Sequence, residues 1–163
     1  MKANLDGSNA TPIVVGLDRP AGIVVDSDAG KIYWADEDRK VIHTSDLEGG
    51  DRRIVVELSA SSGPFGIVIH RNLLYIGNWA ARSIQSVDKN TGADLNTVYS
   101  ISGNVREITI FDFATARCHA SKDNPCEGYR CSHVCVPTIT SYRCLCPKGM
   151  HLGGNNMTCL YSK

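Results

Sequence analysis

The sequence predicts an all-β fold, and three observations carry that expectation. Short apolar runs recur along residues 20–100, separated by Gly, Asp, Asn and Ser. No segment shows the 3.6-residue periodicity of an amphipathic helix. The runs also repeat. Sliding the chain along itself by 75 − 33 = 42 residues places Tyr33 on Tyr75, Ile42 on Ile84, Asp46 on Asp88 and Gly50 on Gly92. The opposite shift lays Leu47-Glu48-Gly49-Gly50-Asp51 on Leu5-Asp6-Gly7-Ser8-Asn9.

Each element of the unit follows from its residues. Pro20 to Asp26 is a short apolar run, suited to a strand buried on both faces. Ser27-Asp28-Ala29-Gly30 is turn chemistry, and Lys31 to Ala35 is a second strand. Val41 to Ser45 is a third, Leu47 to Asp51 a Gly-Gly turn, and Arg53 to Glu57 a fourth. The next unit matches run for run: Pro64 to Ile69, Leu73 to Ile76, Ser83 to Val87 and Asn96 to Tyr99. Four strands joined by short polar turns make one antiparallel meander.

A four-stranded unit of about 40 residues, repeated, is the signature of a β-propeller blade. Residues 1–15 supply only the tail of one unit, two full units follow, and Arg106 to Phe111 supplies the first strand of another. That is under three blades. Blades bury their faces against neighbours, so the expectation is a partial propeller. It either belongs to a longer parent or closes by self-association.

Composition narrows the function classes. Seventeen Lys+Arg balance seventeen Asp+Glu, without the basic excess of a nucleic-acid-binding protein. No run of about 18 apolar residues exists, so membrane contact is expected only through a transmembrane segment of the parent. The start, MKANLDGSNATP, lacks the apolar stretch of a secretory signal. Yet all seven cysteines lie after residue 117, which reads as a second, disulfide-stapled domain from an oxidising compartment. The two readings are reconciled if Met1 opens a fragment of a secreted or cell-surface parent.

The domains expected are a partial propeller over 1–113, a polar link over 114–124 and a small module over 125–160. From Cys126 to Cys159 the cysteines are separated by 4, 3, 8, 1 and 12 residues. One residue between the fourth and fifth of six is the epidermal-growth-factor-like spacing. The C-x-C places two thiols on opposite sides of one strand, so each leaves for a different partner. Fifteen pairings remain open on spacing alone. Clustered cysteines can also hold zinc, the weaker reading here because zinc sites favour paired C-x₂₋₄-C knuckles.

These residues resemble one family. Tyr33-Trp34-Ala35-Asp36 is similar to the YWTD signature of the low-density lipoprotein receptor propellers, with Ala for Thr. Asn4-Leu5-Asp6-Gly7-Ser8, Pro64-Phe65-Gly66-Ile67 and Lys89-Asn90-Thr91-Gly92 resemble other blade positions. Asn124-Pro125-Cys126 and Cys131-Ser132-His133-Val134-Cys135 resemble the epidermal-growth-factor-like module that follows such propellers. The second unit departs, reading Tyr75-Ile76-Gly77-Asn78. The resemblance covers nearly the whole chain. It implies the C-terminal part of a six-bladed YWTD propeller plus its trailing module.

It further implies disulfides Cys126–Cys135, Cys131–Cys144 and Cys146–Cys159, leaving Cys118 unpaired. It implies a non-catalytic extracellular module that recognises secreted glycoprotein or lipoprotein ligands, in uptake or in Wnt- or agrin-type signalling. A second reading is a rigid connector in a nidogen-like basement-membrane protein.

Trp79, Phe65 and Arg82 are the candidate ligand-binding residues, since similar propellers present an aromatic to their ligand after the second strand of a blade. Packing between blades explains Trp79 equally well. Tyr33, Trp34, Asp36 and Tyr75 read as scaffold, with Asp36 holding turn amides. Asn9 and Asn156 head glycosylation sequons, the first followed by Pro12. No cofactor or metal is expected. Lys122-Asp123-Asn124-Pro125 offers one acid, too few hard oxygens for calcium. No Ser-His-Asp set, phosphate-cradling loop or paired carboxylate points to an enzyme.

Overall fold

The computed structural model describes residues 1–110, 126, 128, 130–138 and 141–161. They contain twelve β-strands and no helix. The chain divides into two compact units, Ile13–Phe113 on the one hand and Met1–Pro12 with Ala114–Lys163 on the other.

The larger unit holds two four-stranded antiparallel meanders. The first is β1 (Pro20–Asp26), β2 (Lys31–Asp36), β3 (Val41–Asp46) and β4 (Arg53–Glu57), paired in that order. The second is β5 (Pro64–His70), β6 (Leu73–Asn78), β7 (Ser83–Asp88) and β8 (Asn96–Ser100). The repeat extends to their irregularities. Register shifts fall between Pro20 and Ile23 in β1 and between Pro64 and Ile67 in β5. They fall again between Ile42 and His43 in β3 and between Ile84 and Gln85 in β7.

Glycine sits where blades meet most closely. A β-carbon on Gly22 would lie 2.2 Å from the Phe65 carbonyl oxygen, and one on Gly66 would lie 2.3 Å from that of Arg106. Successive inner segments therefore touch backbone to backbone, which only a residue without a side chain permits. The outer edge has its own contact. A β-carbon on Gly49 (φ 89°) would overlap the Ile13 carbonyl, and one on Gly92 (φ 75°) that of Val55. Ile13 and Val55 are themselves 55 − 13 = 42 residues apart.

Between the two sheets Tyr33, Ala35, Ile42 and Val56 gather with Ile67, Leu74, Ile76 and Val87 into one core. Each large member removed from water contributes about 1.5–3 kcal/mol. Pro20–Asp26 departs from the expectation of two buried faces: Ile23 is 62% and Val25 54% exposed. Alternate side chains of a strand leave on opposite faces, and the second sheet covers only one of them. Arg106 to Phe111 also differs, because its described part, 106–110, forms no strand. Among the described residues it meets β5 through a backbone bond from the Gly66 amide to the Arg106 carbonyl, 2.7 Å.

In the smaller unit β9 (Val134–Pro137) pairs β10 (Tyr142–Leu145), and β11 (Met150–Leu152) pairs β12 (Cys159–Tyr161). The structure joins Cys126 to Cys135, Cys131 to Cys144 and Cys146 to Cys159. Met1–Pro12 belongs to this unit. It forms a hairpin bridged at Lys2 and Thr11, and the Arg143 guanidinium donates to Asp6 Oδ2 at 2.6 Å. Cys118 and the 114–124 link lie outside the described residues.

Candidate protein-recognition face

The candidate site is built at the end of the two sheets where β1 and β5 begin and β2 and β6 finish. Pro20 pairs with Asp36 there, and Pro64 with Asn78. Both strands β2 and β6 end in a fully buried short polar side chain that organises the following turn. Asp36 Oδ1 accepts from the Arg39 amide at 3.2 Å. Asn78 Oδ1 accepts from the amides of Gly63 (2.8 Å) and Ala81 (3.1 Å), while its Nδ2 donates to Gln85 Oε1 at 3.0 Å. These side chains replace backbone partners that the tight turns leave unmet.

The next residue along each strand carries the surface chemistry. Glu37 follows Asp36, and Trp79 follows Asn78, 42 residues later. The two meet: Trp79 Nε1 donates to Glu37 Oε1 at 3.0 Å. The indole also lies against Gly63, whose missing β-carbon would fall 2.5 Å from Nε1. The Trp79 amide donates to the Gly63 carbonyl at 3.0 Å. Trp79 is thus pinned between the two sheets yet half-exposed.

Phe65, at the start of β5, is half-exposed beside it. The Arg106 guanidinium stands over both rings, 5.6 Å from the Phe65 centroid and 5.8 Å from that of Trp79. Glu37, buried by its neighbours, takes a cation through its other oxygen, Oε2, 3.3 Å from Arg19 Nε. Arg19 also reaches Asp38 at 3.5 Å, and Arg39 donates to Asp18 at 2.5 Å. The result is two aromatic faces framed by alternating charges.

Of the three residues nominated from sequence, the structure brings Phe65 and Trp79 together. Arg82 does not join that stack. It is exposed on the turn after Trp79 at φ 51°, and its carbonyl accepts from the Ile101 amide. Sequence reasoning missed Arg106, Glu37 and Arg19. The 42-residue register connects Glu37 with Trp79, whereas Arg106 takes the place of Phe65 by structure, Gly66 abutting its carbonyl as Gly22 abuts that of Phe65.

The scaffold residues fall elsewhere. Tyr33 is fully buried in the inter-sheet core, and Tyr75 is half-buried at the equivalent place. Trp34 lies on the opposite face of the first sheet, stacked on His43 with centroids 5.2 Å apart and with Arg52 5.4 Å above it. Burial first, and the Arg52 charge second, push the His43 imidazole below its ordinary pKa.

No protein-family model matches the chain. Individual relatives do. The vitellogenin receptor Yl of Drosophila melanogaster is 30% identical over 163 residues, covering 98% of this chain and 8% of that protein. Low-density lipoprotein receptor-related protein 4 of Mus musculus is 31% identical over 139 residues, 84% of this chain and 7% of the receptor. Low-density lipoprotein receptor-related protein 5 of Mus musculus is 33% identical over 166 residues, 97% and 10% respectively.

The chain belongs to the low-density lipoprotein receptor-related family.

It spans about a tenth or less of the length of these family members. Within that span it carries part of a YWTD propeller and a disulfide-bonded epidermal-growth-factor-like module. A chain in a crystal structure of a nidogen/laminin complex overlays on 58% of it, and on 53% of that chain, at 22% identity and a TM-score of 0.37. That likeness is too slight to carry an argument.

Proposed function

We propose that this chain is a non-catalytic recognition module of an extracellular or cell-surface receptor, and that it binds protein through the face bearing Phe65, Trp79 and Arg106. The observation that carries the reading is the stack itself. Two half-buried aromatic rings share one guanidinium, and one of them, Trp79, is fixed from behind by Glu37 and Gly63. Rigid aromatic and arginine anchors inside a charged rim are the composition of binding hot spots, because little side-chain freedom remains to be lost on association. The neighbouring acids and bases would steer a partner and fix its register.

The names of the relatives suggest the first probes: vitellogenin and low-density lipoprotein. Both are to be passed over immobilised, oxidised protein, comparing the wild type with Arg106→Ala and Phe65→Ala. Binding by the wild type that weakens at least about tenfold in either variant, with unchanged far-ultraviolet dichroism, supports the face. Equal binding by all three would place recognition elsewhere. No binding of either probe by the wild type would remove this ligand class.

A further inference from the structure

We propose that Asn156 carries an N-linked glycan and that Asn9, the other sequon asparagine, does not. The proposal rests on the extracellular reading above, since the modification occurs only on the secretory route.

Both sites satisfy Asn-x-Thr, and both asparagines are exposed in the left-handed region, at φ 54°. What separates them is their surroundings. Asn156 crowns the turn between β11 and β12, with residues 154–158 all exposed. Its neighbour holds that turn together. Asn155 Oδ1 accepts from the amides of Met157 and Thr158, each at 3.0 Å, and Asn155 Nδ2 donates to Thr158 Oγ1 at 2.9 Å. Asn156 contributes only its amide, donating to the Gly153 carbonyl at 2.9 Å. Its carboxamide is left free for derivatisation without loss of an internal bond.

There is also room for a sugar. An open groove of ≈ 430 Å³ borders the turn, lined by Tyr142, Arg143, Leu152, Asn155, Asn156 and Met157. It offers an aromatic surface and hydrogen-bonding groups, the pairing that suits a pyranose ring.

Asn9 has the opposite setting. Pro12 directly follows Thr11, and a residue before proline is driven to extended conformations. The acceptor sequence must instead fold locally so that its threonine meets the asparagine amide.

The test is to secrete the whole chain from animal cells behind a heterologous leader, then to map its mass and peptides before and after peptide-N-glycosidase treatment. Glycan on the Asn156 peptide and none on the Asn9 peptide is the expected result. Asn156→Gly should abolish it, glycine being chosen because it keeps the positive φ without strain. Thr158→Ser should retain it. Protein that is secreted with three intact disulfides but bare at Asn156, or modified at Asn9, would overturn the proposal. Protein retained in the cell with free thiols would instead count against the extracellular reading on which it stands.

Discussion

Lys89 and Asp26 form a buried ion pair between the two blades, 63 residues apart in the chain. Asp26 ends β1 of the first blade; Lys89 opens the β7–β8 turn of the second. Burial alone would raise the Asp26 pKa. The Lys89 hydrogen bond and the Ala29 amide outweigh burial and leave it lowered. Removing one partner strands a charge in the interior, at a cost of about 3–5 kcal/mol. Lys89→Met should therefore destabilise strongly, while Asp26→Leu with Lys89→Met should recover much of the loss. A double-mutant cycle by urea unfolding reads this directly, and a coupling near zero would refute it.

That pair also sets an acid limit. A carboxylate whose folded pKa is depressed contributes stability that is present above its unfolded value, 3.8, and lost as pH falls through the lower folded value. Urea midpoints measured from neutral pH down to about 2 should decline more steeply in the wild type than in the Asp26→Leu, Lys89→Met protein.

His43 acts at milder pH. Its ring is buried and stacked on Trp34. The pKa is lowered, so the unfolded chain takes up the proton first. Stability must then fall as pH drops through the ordinary histidine value of 6.5 towards the folded one. His43→Phe should keep the stack and reduce the difference in unfolding temperature between about pH 7.4 and about pH 5.5. An unchanged difference would assign that sensitivity to other groups.

Gly66 tests the close approach of inner segments. In Gly66→Ala the new methyl meets the Arg106 carbonyl, which is backbone and cannot rotate away. Overpacking of this kind costs about 1–3 kcal/mol, occasionally more. Gly103, with nothing near its β-position, is the control, and its alanine variant should unfold near the wild-type midpoint. Equal midpoints for the two variants would disprove the contact.

Reduction should separate the two units. The segment Ile13–Phe113 has no cysteine, whereas the module is held by three disulfides. Each bridge contributes about 3 kcal/mol, mainly by restricting the unfolded chain. With excess reductant, amide resonances of the module should collapse to unfolded positions while those of the sheets persist. Simultaneous loss of both would mean that the units fold as one.

The blade pattern was legible because strands, turns and their 42-residue recurrence are local or periodic properties. Ile32, Tyr33 and Trp34 announce a strand by residue type, and Gly49 and Gly92 announce its turn. The module was legible from cysteine spacing joined to a family likeness. Part of the proposed face is also within reach: the sequence points to Phe65 and Trp79, but not to the Arg106 over both rings or the Glu37 that holds Trp79.

What stayed hidden lies between blades. Nothing local in PAGIVVD says that Ile23 and Val25 face water while Val24 packs on the core, because burial depends on which face receives a neighbour. Nothing near Asp26 announces Lys89, and nothing near Glu37 announces Trp79. Secondary structure here follows from short-range sterics and alternation, which the order of residues contains outright. The ion pair and the aromatic stack come from apposing two sheets whose partners are 42 or more residues apart, and only that apposition removes the intervening water and makes each contact strong.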